Sequence, residues 1–174
     1  MKNKKLMIRT VVLFAFFALT NIGFSQITTE EDMARAVFET IKNSDLETFS
    51  SYLVTDEKMA NMLKGMEEST PKEKGVKQDL KEENATSIRK ECINGFKALI
   101  EELNTKSIAI DKGVFSDFTT KVRVEVPNCK AITIEFVSTF DDKIHYQIRV
   151  DVFKTESDLF IFNFHAKDLY DHKP

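Results

Sequence analysis

An α+β domain, helices first and sheet last, is the fold class this sequence predicts, and three observations predict it. Apolar residues recur at every second position from Val122 to Phe164, the period at which one face of a strand is buried. Between Thr28 and Asn104 they recur at every third or fourth position, behind Ser/Thr-x-x-Glu capping signals. Turn formers at Pro127-Asn128, Asp141-Asp142 and Glu156-Ser157 divide the later stretch. The sheet therefore reads as a four-stranded antiparallel meander.

Residues 1–25 read as a signal peptide. Lys2, Lys4, Lys5 and Arg9 form a basic head, Val11 to Leu19 is apolar, and Gly23-Phe24-Ser25 supplies small residues for cleavage. The apolar run is shorter than the ~20 residues a span needs, so no stable membrane insertion is expected after cleavage. Export to the periplasm or medium, with cleavage near Ser25, is the expected localisation. The whole chain of 174 residues holds 25 basic and 28 acidic side chains. Without the four basic residues of the leader it carries 21 against 28, a formal −7. Phosphate binding needs a basic surface, so nucleic acid is not an expected partner. The rest, 26–174, suits one α+β domain, with helices over about 29–104 and sheet over about 107–167.

Thr28 with Glu31, Ser44 with Glu47 and Thr70 with Glu73 match the capping box, and Pro71 takes a first helical position. Met33, Val37, Phe38 and Ile41 stripe the first helix, and Leu46, Phe49 and Leu53 the second. Thr55 caps a third with Met59, Met62, Leu63 and Met66, a stripe that suits core or a pliable binding surface. From Pro71 to Asn104 the stripe runs through Val76, Leu80, Ile88, Cys92, Phe96, Leu99, Ile100 and Leu103, and its mostly polar first half either projects into solvent or breaks near Gly75. Its second half should lie on the sheet, with Gly95 marking a close approach. Ser107 to Ile110 reads as a short strand before the Asp111-Lys112-Gly113 turn.

Parity fixes the expected register, because a one-residue slip turns every side chain over. Phe140 should pair with Ile144, Lys154 with Asp158, and Val126 should face Ile132. That puts Val122, Val124, Val126, Phe136, Phe160, Phe162, Phe164 and Tyr146 on one inner face. On the other face Arg123, Glu135, Arg149 and Asn163 form a row with Glu135 between two guanidinium groups. The row is either a solvated ladder or an anion or partner site. Beyond it Val137, Phe153, Leu159 and Ile161 cluster as a partner surface or as sheet awaiting extra helix cover.

Chemistry-bearing motifs are few. There is no G-x-S-x-G, H-E-x-x-H, P-loop or dinucleotide fingerprint. His145 and His165 share the polar face with Gln147, yet no third ligand accompanies them, so neither a metal nor a cofactor is expected. Cys92 and Cys129 lie on elements that meet, and whether they form a disulfide stays open. Ser138, Tyr146 and Ala166 share one row of the inner face and would leave a wet mouth there.

The run Ala36-Val37-Phe38-Glu39-Thr40-Ile41-Lys42-Asn43-Ser44-Asp45-Leu46, followed by a long antiparallel sheet, resembles the nuclear-transport-factor-2-like (cystatin-like) superfamily. The stretch Ile144 to Phe164 is similar to the C-terminal hairpin of its secreted bacterial members. The resemblance implies a curved sheet wrapped round a helix, a cone-shaped α+β roll with a pocket. It also implies, for enzymes of the superfamily, an acid and a Tyr or His inside the cone. Here the strands place Tyr146 and Ser138 inward but no acid. The expected function is an exported, non-catalytic binding module taking a small apolar ligand or a protein partner. Tyr146, Ser138, Phe136 and Phe164 would line its pocket; Arg149, Glu135, Arg123, Phe153 and Ile161 would form the partner surface. One alternative is an isomerase or hydrolase with Tyr146 as proton donor and Glu39 or Glu91 as carboxylate. Another is a domain that dimerises through the outer sheet face.

Overall fold

The computed structural model describes residues 27–82, 84–141 and 144–169. The expected leader, the hairpin tip at Asp142 and Lys143, and the tail with His172 lie outside the described residues. Helix α1 (Glu30–Lys42) starts where Thr29 Oγ1 accepts the Asp32 amide at 3.1 Å, one residue past the expected cap. Helix α2 (Leu46–Ser51) shifts the same way. Asp45 caps it, taking the Thr48 amide at 2.9 Å and the Thr48 hydroxyl at 2.6 Å, while Ser44 sits outside at φ 53°. Helix α3 (Asp56–Gly65) is capped by Thr55 as expected. Helix α4 (Pro71–Glu82) opens on the reciprocal Thr70–Glu73 box.

The stripe from Pro71 to Asn104 is two helices, and the break is not at Gly75. It falls before α5 (Ala85–Thr105), where the Asn84 side chain accepts the Thr86 and Ser87 amides. An Asx cap starts a helix more strongly than an isolated glycine ends one. The expected strand at Ser107–Ile110 is replaced by a 3₁₀ turn, Ile110–Lys112. Gly113 follows it at a close approach: a Cβ there would lie 2.7 Å from the Phe140 ring.

The sheet is the expected antiparallel meander, in order β1-β2-β3-β4, with β1 (Val114–Val126), β2 (Cys129–Asp141), β3 (Ile144–Lys154) and β4 (Leu159–Leu169). The β2–β3 register is as read from parity, Glu135 opposite Arg149 and Ser138 opposite Tyr146, except that Asp141 faces Ile144 at the hairpin end. The other two registers need correction. Val126 pairs with Cys129, not Ile132, across a two-residue Pro127-Asn128 turn with Asn128 at φ 62°. Proline followed by a left-handed residue is the type II pattern. Lys154 pairs with Leu159, not Asp158, because Thr155 and Asp158 close the loop on each other through bonds of 2.8 and 3.0 Å.

Two of the register shifts, in β1 and β4, change which face the expected inner residues meet. Arg123 is the extra residue on β1, and Phe162 is the extra residue on β4. An inserted residue breaks the alternation. Val124, Val126, Phe160 and Phe162 therefore leave the expected inner set and join a cluster on the opposite face. Ile161 makes the reverse move, into the inner core.

The inner face is covered by α1, α2 and α5. Ile134, Phe136, Ile148, Val150 and Phe164 pack there against Val37, Phe38, Phe49, Phe96 and Leu103. Phe49 stacks on Phe96 at 4.5 Å between ring centroids and meets Phe164 edge-on at 5.1 Å. Gly95 is the expected close approach, since a Cβ there would sit 3.3 Å from Phe164. The free edge of β4 is tied to the segment after α2: Ile161 N–H donates to Tyr52 O and accepts Val54 N–H through its carbonyl, both at 2.8 Å.

At one end of the outer face Val54, Met59, Met62 and Met66 pack on Val126, Cys129, Ala131, Phe153 and Phe160. Cys92 belongs to the inner cluster and Cys129 to this outer one, and both are free thiols. Among the described residues no helix is long and apolar enough to cross a membrane.

Candidate functional site

One pocket lies on the outer face, between α4 and the strands. It encloses about 540 Å³, within the range of small-molecule sites. Val76 and Leu80 of α4 form one wall, Met66 one end, and Val124, Val126, Cys129, Ala131, Phe153 and Phe162 the floor. Helix α4 is mostly polar and has no fully buried residue. Its lone apolar pair at i and i+4 gives it a grip on the sheet but too little surface to seal it. Thus α4 roofs a hollow instead of completing a core. Lys77 helps hold it, donating to Met66 O at 2.9 Å and pairing with Glu68 at 2.9 Å.

Polar groups gather at the strand end of the pocket. Asp151 is only 6% exposed and Thr133 2%. The Asp151 carboxylate accepts from the Thr133 hydroxyl at 2.5 Å, from Arg149 Nε at 3.2 Å and Nη2 at 2.9 Å, and from Asn163 Nδ2 at 2.9 Å. Burial pushes this carboxyl up, but the hydrogen bonds from Arg149, Thr133 and Asn163 outweigh it and hold the group below its usual range. The same bond, with the charges of Asp151 and Glu135, raises the Arg149 guanidinium. Arg123, the bulged residue on this side, donates from Nε to Thr133 Oγ1 at 2.9 Å. Thr133 is thus a relay between an arginine and a saturated carboxylate.

The row expected across four strands is rearranged accordingly. Glu135 does face Arg149 across β2–β3, but Arg123 sits nearer Thr133, and Arg149 leans to Asp151. Glu135 receives Gln147 Nε2 at 3.4 Å. Asn163 pairs with Asp151, while His165 takes the place opposite Arg149. Phe153 is no open partner surface: it is buried and stacks on Phe162 at 4.0 Å under helix cover. Ile161 is fully buried on the other side of the sheet.

Tyr146, Ser138, Phe136 and Phe164, expected to line a pocket, are instead packed in the inner core, each at most 4% exposed, and line none of the described pockets. The reason is side-chain volume: Phe140 meets Tyr146 edge-on at 5.9 Å, and Phe49, Phe96 and Phe164 fill the region under α5. The Tyr146 hydroxyl donates to Glu102 Oε1 at 3.1 Å and accepts from Lys106 Nζ at 3.3 Å. The carboxylate that meets it is therefore from α5 and is neither Glu39 nor Glu91. Ser138 Oγ is buried without a partner among the described residues.

Cys129, on the pocket floor, has its thiol pushed up to about 11 by burial, and Cys92 is pushed to about 12. Neither is a nucleophile at neutral pH. Among the described residues no group of His, Cys, Asp and Glu is arranged to hold a metal. Among the pocket residues that sequence reasoning missed are Asp151 and the α4 pair, and it also missed Thr133, which bonds to Asp151 from outside the lining. Asp151 alone carried a signal, as an acid between Val150 and Val152 in the middle of a strand. Comparison with protein-family models, curated proteins and solved structures finds no match for this chain.

Proposed function

We propose that this protein is an exported, non-catalytic binding module whose small apolar ligand sits between α4 and the outer face of the sheet. The observation that carries this reading is the pocket of about 540 Å³, apolar on its floor and roof and polar at one end. A few fixed polar groups in an otherwise apolar hollow give orientation without chemistry. The absence of an activated nucleophile or acid–base pair along that lining favours binding over catalysis: Asp151 is saturated and Cys129 is a neutral thiol. Export rests on the basic, apolar and small-residue sequence of residues 1–25. Kinship with the nuclear-transport-factor-2-like superfamily is part of the same proposal, supported by the order of helices before a four-stranded antiparallel sheet.

The test is native mass spectrometry of the protein purified without detergent, beside a Val124→Trp variant that fills the floor. The reading expects a small molecule retained at unit stoichiometry by the wild type and lost from the variant. Retention undiminished in Val124→Trp would contradict it.

A further inference from the structure

The groove carries a charge that its own network does not consume. Asp151 accepts from Thr133, twice from Arg149 and once from Asn163, so the Arg149–Asp151 pair is closed on itself. Arg123 is different. Its Nε is spent on Thr133, which fixes the plane of the guanidinium, and no carboxylate among the described residues lies within ion-pair distance of it. A guanidinium has five N–H donors in a fixed fork, and here four of them remain for something outside the chain. The other unpaired charge on the lining is Asp79 of α4; it is exposed, as Arg123 is, but no hydrogen bond among the described residues holds its side chain in place, whereas Thr133 anchors Arg123.

We infer that the ligand is an amphipathic anion: an apolar chain laid along the groove, with one carboxylate-type head on the terminal nitrogens of Arg123. The inference rests on the groove being the binding site. The bulge in β1 gives both parts of the arrangement. It turns Val124 and Val126 down into the apolar floor and sets Arg123 at the rim beside them. Head and chain of one molecule would thus be read by consecutive residues of a single strand. Planar, two-pronged recognition of a carboxylate is what an anchored arginine does best.

The experiment measures displacement of a fluorescent dansyl-undecanoic acid from the full chain by dodecanoic acid, dodecanol and dodecyltrimethylammonium. Wild type, Arg123→Gln, Arg123→Lys and Val124→Trp are compared, with circular dichroism as the check on folding. The expected order is acid over alcohol by about tenfold, the value of one charge-assisted pair, with the cation weakest. Arg123→Gln should erase the preference by weakening the acid far more than dodecanol, and Arg123→Lys should keep part of it. Equal affinity for acid and alcohol in the wild type, or a preference surviving Arg123→Gln, overturns the anion assignment and leaves the groove standing. If no amphiphile binds, or Val124→Trp binds as the wild type does, the groove falls and the assignment with it.

Discussion

The two faces of this sheet hold two apolar clusters built on different terms. The inner one is made of branched and aromatic side chains locked under a 21-residue helix, with Phe49, Phe96 and Phe164 in mutual contact. The outer one joins Met59, Met62 and Met66 to Val54, Val126, Cys129, Ala131, Phe153 and Phe160, under a helix that buries none of its own residues completely. A long helix seated along its whole apolar stripe leaves no room, whereas the half-seated α4 leaves a hollow beside Met66, Cys129 and Ala131. The lesson is that an unsealed face, and not the face with the larger core, is where a fold of this kind has space for a ligand.

Phe96→Ala should produce the largest effect that separates the faces. It removes a ring at the centre of the inner core and should cost about 4 kcal/mol, read from urea unfolding. A loss under 1 kcal/mol would mean the inner core is as yielding as the outer.

Asp151→Asn comes next, at about 3 kcal/mol at pH 7, because an amide cannot accept from Arg149, Thr133 and Asn163 together. Its pH dependence has a definite sign. The folded carboxyl titrates below the ordinary 3.8, so its stabilisation is present above that value and is lost as pH falls through the folded one. The gap between wild type and variant should therefore close below about pH 4. A gap that widens in acid would contradict the network.

Ser138→Ala should act in the opposite direction. The hydroxyl is buried without a partner among the described residues, so its removal should raise stability by about 1 kcal/mol. Thermal unfolding would register this as a higher Tm. A fall of that size would mean the hydroxyl is satisfied. Smallest is Leu80→Ala on α4, at about 0.5 kcal/mol, since the helix is only half seated. A cost comparable to that of Phe96→Ala would erase the distinction between the faces.

Much of this was legible in the residues. Period two in the strands and period 3.6 in the helices were enough for the α+β class, and parity alone put Glu135 opposite Arg149 and Ser138 opposite Tyr146. Gly95 announced its packing against Phe164. Parity failed where a residue was inserted: Arg123 reads as an ordinary polar position between valines and Phe162 as an ordinary apolar one, yet each bulge turned an apolar pair to the other face. The candidate site was illegible for the same reason. Its floor is made by those bulges, and its roof by a helix whose polar composition pointed toward solvent.

Amide hydrogen exchange with and without saturating dodecanoic acid distinguishes the outer groove from the inner core as the binding face. Added protection confined to α4 and to residues 122–126 of β1 is the predicted result. Protection centred on α5 and the strand around Tyr146, or no change anywhere, would contradict it.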